Sequence, residues 1–126
     1  MKLRHFSPGE FKMDGRVVFD KMQPEFLALL DQCRQDSGVP FIINSCYRSP
    51  AKNKRVGGSP NSMHLFGRAV DITCTLPSTR AVIMKAALSL GLTVGVMRDA
   101  LHLDNREKQI VFDYYKRYGE SQSEEE

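Results

Sequence analysis

Two histidines and one aspartate in this sequence have side chains that could together hold a metal ion. Asp71 lies seven residues after His64, and His102 lies 38 residues after it. Two imidazoles and a carboxylate leave one position of a tetrahedral Zn²⁺ free, which a catalytic zinc site requires and a structural site lacks. The three residues can share an ion only if the strand of Asp71 pairs beside the strand of His102. On the residues alone, the alternative is that each histidine only hydrogen-bonds a nearby carboxylate.

The sequence pattern predicts the strands that this site would need. Residues 68–73 indicate a strand that carries Asp71, while 92–97 and 100–103 indicate two strands around a turn at Arg98-Asp99. The remaining predicted elements are a helical turn near residue 8, a helix at 24–36, a strand at 41–47 and a helix from Ser78 that stops at Gly91. Strands mixed with helices, without regular βαβ alternation, predict an α+β domain with a small, mainly antiparallel sheet and flanking helices.

Two segments have a less regular pattern. About fifteen residues rich in Lys, Arg, Asn, Gly, Ser and Pro end at Ser62, and unpatterned loops of that length are usually functional or disordered. We therefore expect this loop to contribute to function. Apolar spacing at 110–118 favours a closing helix, although its Val-Phe and Tyr-Tyr pairs suit a strand nearly as well.

Length and composition limit the classes of protein. The chain has 126 residues, of which 41% are hydrophobic and 26% charged, so we expect one globular domain and no wholly disordered chain. No apolar run approaches the roughly 18 residues of a membrane span. Residues 1–119, the predicted domain, carry 18 basic and 11 acidic residues, a net charge of +7. Residues 120–126 are predicted to be an acidic, disordered tail.

Cysteine content and the N-terminus bear on the cellular compartment. The three cysteines are an odd number at wide spacings, so we expect buried free thiols and no disulfide framework. The basic N-terminus has no apolar run behind it, which predicts synthesis in the cytoplasm without a secretory signal. A basic body would suit an anionic partner such as nucleic acid, a membrane surface or an acidic cell-wall polymer. No recognition-helix or aromatic RNA-binding motif supports nucleic acid.

An ordered set of motifs resembles a known enzyme family. The run Ser62-x-His64-x-x-Gly67-x-Ala69-x-Asp71, followed by His102-x-Asp104, is similar to the zinc D,D-carboxypeptidases and L-alanyl-D-glutamate endopeptidases, which are related to the hedgehog fold. Many members are bacteriophage lysis enzymes. Upstream segments also resemble the family, namely Tyr47-Arg48-Ser49, Asn53 and Gly57-Gly58. The resemblance covers about residues 5–115 and implies a hedgehog/D,D-peptidase-like fold.

The resemblance implies a role for particular residues. His64, Asp71 and His102 would bind Zn²⁺. Arg48 would correspond to the arginine that anchors or polarises the substrate peptide, for which its planar fork is better suited than lysine. Ser62 would hydrogen-bond the substrate or the surroundings of the metal, and its alternative is a turn-forming serine.

Peptide hydrolysis also needs a general base. Some family members have an acid three positions before the last zinc histidine, where this chain has Asp99. Asp104 is the competing candidate, because residues two apart in a strand share a face, and it could instead orient an imidazole. A third alternative is that neither aspartate is the base.

The implied function is zinc-dependent hydrolysis of the stem peptides of bacterial peptidoglycan. The bond cut would be that of a D-Ala-D-Ala carboxypeptidase or an L-Ala-D-Glu endopeptidase, in phage-type lysis of a host. We expect a monomer without nucleic acid or membrane insertion that acts on the cell wall after release into the periplasm or outside. The alternatives are a catalytically inactive, zinc-containing cell-wall or protein binding module and a small basic nucleic-acid binder.

Overall fold

Within residues 2–113, the strands form a two-stranded hairpin and a five-stranded sheet. This computed structural model describes residues 2–113. The hairpin consists of β1 (Lys12–Met13) and β2 (Arg16–Val17), and the sheet of β3 (Ile43–Ser45), β4 (Ala69–Thr73), β5 (Thr93–Val96), β6 (Ala100–Asp104) and β7 (Val111–Asp113). The order across the sheet is β3-β4-β6-β5-β7, and every pairing is antiparallel except that of β5 with β7. The predicted mainly antiparallel sheet is confirmed.

Alternation along β4 and β6 separates a core face from a polar face. Val70 and Ile72 of β4, with Leu101 and Leu103 of β6, belong to the hydrophobic core. Because successive strand residues point to opposite faces, Asp71 and His102 share the other face. Both central strands are buried on both faces, so this polar face is shielded from solvent as well.

Two long helices supply the other side of the core. They are α1 (Pro24–Ser37) and α3 (Pro77–Ser89), and they pack against each other. Each begins with proline at the first helical position, and α1 ends at Gly38 with a φ of 71°, which glycine adopts without strain. The predictions of these helices, of the capping box at the 3₁₀ turn Pro8–Glu10 and of flanking helices around the sheet are therefore confirmed.

Two sequence-based predictions of local structure were wrong. The segment ending at Ser62 contains a helix, α2 (Pro50–Arg55), because Ser49 caps it: the Lys52 N–H donates to Ser49 Oγ at 3.1 Å. Val111–Asp113 is a strand and not part of a closing helix, because it extends the sheet in parallel with β5. The rest of that predicted helix and the predicted acidic tail lie outside the described residues.

The cysteines are buried free thiols, as predicted. Burial raises the pKa of Cys33 to about 12 and that of Cys46 to about 11, so both stay protonated. Within residues 2–113, no helix is both long enough and apolar enough to cross a membrane.

Candidate metal centre

The centre begins with a cross-strand pair. Asp71 of β4 and His102 of β6 are direct register partners in the antiparallel ladder, and both side chains are buried. Directly opposite residues of such strands have closely spaced side chains on one face. His102 Nδ1 lies 3.0 Å from Asp71 Oδ1. The pairing that the sequence made a condition for a shared site is therefore present.

The third member, His64, comes from a 3₁₀ turn outside the sheet. The turn Met63–Phe66 begins at Ser62, whose hydroxyl accepts a hydrogen bond from the His64 N–H at 3.2 Å. It ends at Gly67, where φ is 66° and where a Cβ atom would overlap backbone atoms of Lys21 and Met22. Only glycine is compatible with both constraints. The turn directs His64 Nε2 to 3.3 Å from Asp71 Oδ1.

Ligand atoms of His64, Asp71 and His102 converge on one point. All three lie within 4.8 Å of one another, and all three residues are buried. Ligands bound to Zn²⁺ at 2.0–2.1 Å with tetrahedral angles are about 3.3 Å apart, close to both nitrogen–oxygen separations here. The donor set and these two separations thus fit a metal ion held by two imidazoles and one carboxylate.

The second nitrogen of each imidazole has its own acceptor. His64 Nδ1 lies 2.7 Å from the carbonyl oxygen of Cys46, and His102 Nε2 lies 2.6 Å from Asp104 Oδ2. If each of these nitrogens carries the ring proton, His64 Nε2 and His102 Nδ1 are left with lone pairs directed at the centre. Acceptors of this kind orient the ligands and fix the tautomer in metalloproteins.

Asp104 is itself held by an arginine. Arg106 Nη2 donates to Asp104 Oδ2 at 2.6 Å and Arg106 Nε to Asp104 Oδ1 at 3.0 Å, while the guanidinium lies 5.1 Å from the centre of the Phe112 ring. Burial acts to raise the pKa of Asp104, but hydrogen bonds from His102 and Arg106 outweigh it and lower this pKa to about 2. The carboxylate is therefore a permanently ionised acceptor for His102.

Charges within the centre also fix the protonation of the ligands when no metal is bound. Burial acts to raise the pKa of Asp71 and to lower that of His102. Both effects are outweighed, because the imidazoles hold the pKa of Asp71 far below its usual range and the two carboxylates raise the pKa of His102 to about 9. The raised pKa therefore favours the protonated form of His102 near neutral pH when no metal is bound.

Arg48 lies beside the centre, on the segment between β3 and α2. Its side chain is 12% exposed, and its Nη2 lies 3.4 Å from Asp71 Oδ2, the oxygen that faces away from the imidazoles. Its Nη1 donates to Asn53 Oδ1 at 3.1 Å and its Nε to Ser45 Oγ at 3.4 Å. Among the described residues, two of its five N–H groups have no acceptor.

The other predicted site residues are divided between buried and exposed positions. Ser62 is fully buried under His64, and Asp104 is fully buried behind His102. Asp99 is exposed in the turn between β5 and β6, where its carbonyl accepts from the Cys74 N–H at 2.9 Å. Arg80 holds this turn, since its guanidinium donates to the carbonyls of Met97, Arg98 and Ala100.

Some participants were missed by the analysis of the sequence. No pattern marks the carbonyl of Cys46 as an acceptor, because every residue has a carbonyl. Arg106 could have been found from the sequence, because it lies two residues after Asp104.

The hairpin that contacts α2 could also have been predicted from the sequence. Asp14-Gly15 is a typical two-residue turn, with φ of 52° and 80°. Asp14 forms ion pairs with Lys52 at 2.7 Å and with Arg55 at 2.8 Å, so these two cations of the polar segment that ends at Ser62 are paired.

Two imidazoles and a carboxylate, placed by two sheet strands and the turn beside them, form a donor set that could hold a catalytic metal ion. A family model described as peptidase M15 matches residues 4–104, and the chain belongs to the peptidase M15 family. No curated protein matches the chain. Among solved structures it is similar to the L-Ala D-Glu endopeptidase ChiX of Serratia marcescens, with 22% identity and a TM-score of 0.48 over 68% of this chain and 80% of that one.

Proposed function

We propose that the protein is a zinc peptidase that hydrolyses the stem peptides of bacterial peptidoglycan. The observation that carries this proposal is that one ligand atom each of His64, Asp71 and His102 lie within 4.8 Å of one another in a member of the peptidase M15 family. Three protein ligands with nitrogen and oxygen donors are typical of catalytic zinc. When bound, zinc would act as a Lewis acid toward a peptide carbonyl and make water acidic enough to attack near neutral pH.

Arg48 is proposed to hold the substrate. Its guanidinium lies beside the oxygen of Asp71 that is turned away from the imidazoles, and two of its N–H groups have no acceptor within residues 2–113. Parallel N–H groups of arginine are matched to a carboxylate or a carbonyl. A stem peptide offers both groups, so Arg48 would orient the peptide against the centre.

Ser62 and Asp104 are proposed to position the two histidines. Ser62 is fully buried and accepts from the backbone of His64, so its role would be to hold the turn and not to contact the peptide. Asp104 is fully buried between His102 and Arg106, and its lowered pKa makes it a poor proton acceptor near neutral pH. We therefore favour an orienting role for Asp104 over that of general base.

Asp99 is the proposed general base. It is an exposed carboxylate in the turn just before the strand that carries His102. Arg80 donates to the carbonyls of Arg98 and Ala100 on either side of it. Asp99→Asn should lower kcat by about 10²- to 10⁴-fold without changing the zinc content. Asp36→Asn, in another exposed aspartate, is the matched control and should leave kcat unchanged. Full activity of Asp99→Asn would exclude this residue as the base.

The experiment that tests the function uses peptidoglycan itself. The zinc-loaded chain is incubated with purified peptidoglycan peptides, and the products are measured by mass spectrometry. Loss of terminal D-Ala identifies a carboxypeptidase, whereas fragments cut between L-Ala and D-Glu identify an endopeptidase. Binding to the cell wall without any cleavage would contradict the proposal and favour an inactive binding module.

The biological setting is a further part of the proposal. A monomer with a net charge of +7 over residues 1–119 would be attracted to an anionic cell wall. We propose that it acts there in phage-type lysis, after release from the cytoplasm of the host. Adding the purified chain to permeabilised bacteria and following turbidity tests this role, with His64→Ala as the inactive control. If His64→Ala lowered the turbidity as fast as the original chain does, lysis through the zinc site would be contradicted.

A further inference from the structure

Arg48 has a buried partner, Asn53, to which the family resemblance gives no role. Asn53 of α2 is 5% exposed, although it lies in a short helix among cations. Its amide oxygen accepts from Arg48 Nη1 at 3.1 Å, and its amide nitrogen donates to the carbonyl of Ser59 at 2.8 Å. Both ends of the amide are satisfied in one orientation only, which fixes the oxygen toward the arginine.

Gly58 completes this arrangement from the other side. Its N–H donates to the backbone carbonyl of Asn53 at 2.9 Å. A Cβ atom at this position would overlap the amide oxygen of Asn53 and lie 2.9 Å from Arg48 Nη1. The φ of Gly58 is not in the left-handed region, so its backbone would accept alanine, and the space alone requires glycine here.

The position of Asn53 decides which nitrogens of the Arg48 guanidinium can contact Asp71. With Asn53 on Nη1, only Nη2 approaches Asp71, and it does so at 3.4 Å through Oδ2. Without Asn53, the guanidinium would be free to form the two parallel hydrogen bonds that arginine makes with a carboxylate. Such a pair would engage Asp71 Oδ1, the oxygen that faces the imidazoles, and would compete with a cation for it.

We propose that Asn53 is a positioning residue: by accepting from Nη1, it leaves only Nη2 of Arg48 to contact Asp71. Gly58 has no side chain because a Cβ atom there would overlap the amide oxygen of Asn53 that accepts from Arg48. Arg48 is thereby held back from the metal-facing oxygen of Asp71, and its remaining N–H groups are kept for the substrate. The second consequence rests on the proposed function, whereas the first concerns the metal site alone.

The test is a double-mutant cycle on the dissociation constant of zinc, measured by chelator competition with the full chain. Asn53→Ala should raise this constant about tenfold, the lower end of what loss of an outer partner costs. In the Arg48→Ala background the same change should have no effect, since the competing guanidinium is gone. Gly58→Ala should reproduce Asn53→Ala, and it replaces that variant in the cycle if Asn53→Ala does not fold.

Matched controls are available elsewhere in the chain. Asn61→Ala changes an exposed asparagine, and Gly9→Ala changes a glycine at which an added Cβ would meet nothing within 4 Å, so both should bind zinc normally. An equal loss of zinc affinity with and without Arg48, or no loss in either background, would overturn the proposal. In the active enzyme, Asn53→Ala should also raise KM more than it lowers kcat. Absence of any peptidase activity would refute the proposed function and leave the zinc cycle unaffected.

Discussion

The two halves of the candidate metal centre are built in different ways. Asp71 and His102 belong to adjacent central strands and are aligned by the register of the sheet. His64 and Arg48 come from the segment between β3 and β4, where separate hydrogen bonds from several neighbours hold them in place. The sheet half, Asp71 and His102, is therefore positioned by the many backbone hydrogen bonds between β4 and β6. The loop half, His64 and Arg48, is positioned by separate contacts that can be lost one at a time.

The largest effect should follow from removing one ligand of either half. His102→Ala and His64→Ala should each weaken zinc binding by well over a hundredfold, since loss of an outer partner alone costs about 10- to 100-fold. Peptidase activity should fall to background in both. Inductively coupled plasma mass spectrometry of dialysed protein measures the zinc content. His5→Ala is the control, because His5 is not a member of the converging group; retention of zinc by either ligand variant would contradict the assignment.

Disruption of the core should affect the sheet half through stability. Ile83 of α3 is fully buried against the core, so Ile83→Ala should lower the free energy of unfolding by about 2–5 kcal/mol. Val82→Ala removes the neighbouring side chain, which is 40% exposed, and should cost much less. Urea denaturation of both variants gives the comparison. Equal losses in the two variants would mean that α3 does not face the core as described.

A smaller effect is expected from the residue that orients His102. Asp104→Asn keeps the shape of the side chain but removes the charge that His102 Nε2 and Arg106 share. Zinc affinity should fall about 10- to 100-fold, measured by competition with a chelator. Asp99→Asn should leave the affinity unchanged, because Asp99 is exposed in a turn. An unchanged affinity for Asp104→Asn would mean that the register alone orients His102.

A change of pH perturbs the same half without replacing any side chain. In the metal-free protein the pKa of His102 is raised to about 9, above its ordinary value of 6.5. The stability that this proton contributes is complete below pH 6.5 and is lost as the pH rises through about 9. Zinc must displace the proton, so zinc affinity should rise about tenfold per pH unit between about pH 7 and 9 and then level off.

Calorimetry in buffers of different ionisation enthalpy tests this account of the proton. Near pH 7.5, binding of one zinc ion should release about one proton from His102. Asp71 should release none, because its pKa is far below this range. Zinc binding without proton release would show that His102 is already neutral in the metal-free protein.

The sequence predicted the sheet half of the centre well because its information is periodic. Alternation along 68–73 and 100–103 set both the strands and the faces, and the resulting register brought Asp71 opposite His102. The type of fold followed from the same patterns. The proposed ligand residues were chosen by their chemistry and by the resemblance to a family.

The loop half could not be predicted in the same way. The conformation around Asn53 and Gly58 depends on amide and carbonyl groups that any sequence contains, and on space that only the folded chain defines. The helix at Pro50–Arg55 was missed because the polar, glycine-rich composition of the whole segment favoured a loop, and only Ser49 followed by Pro50 marks the start of a helix. β7 was missed because its partner β5 is distant in sequence, so local spacing favoured a helix.

The central claim is that one divalent ion is held by His64, Asp71 and His102. An anomalous difference map, recorded at the zinc absorption edge from crystals of the zinc-loaded chain, tests it most directly. We predict one peak, at about 2.0–2.2 Å from His64 Nε2, Asp71 Oδ1 and His102 Nδ1. A peak bound by other residues, or no peak at these three atoms in zinc-loaded crystals, would contradict the account.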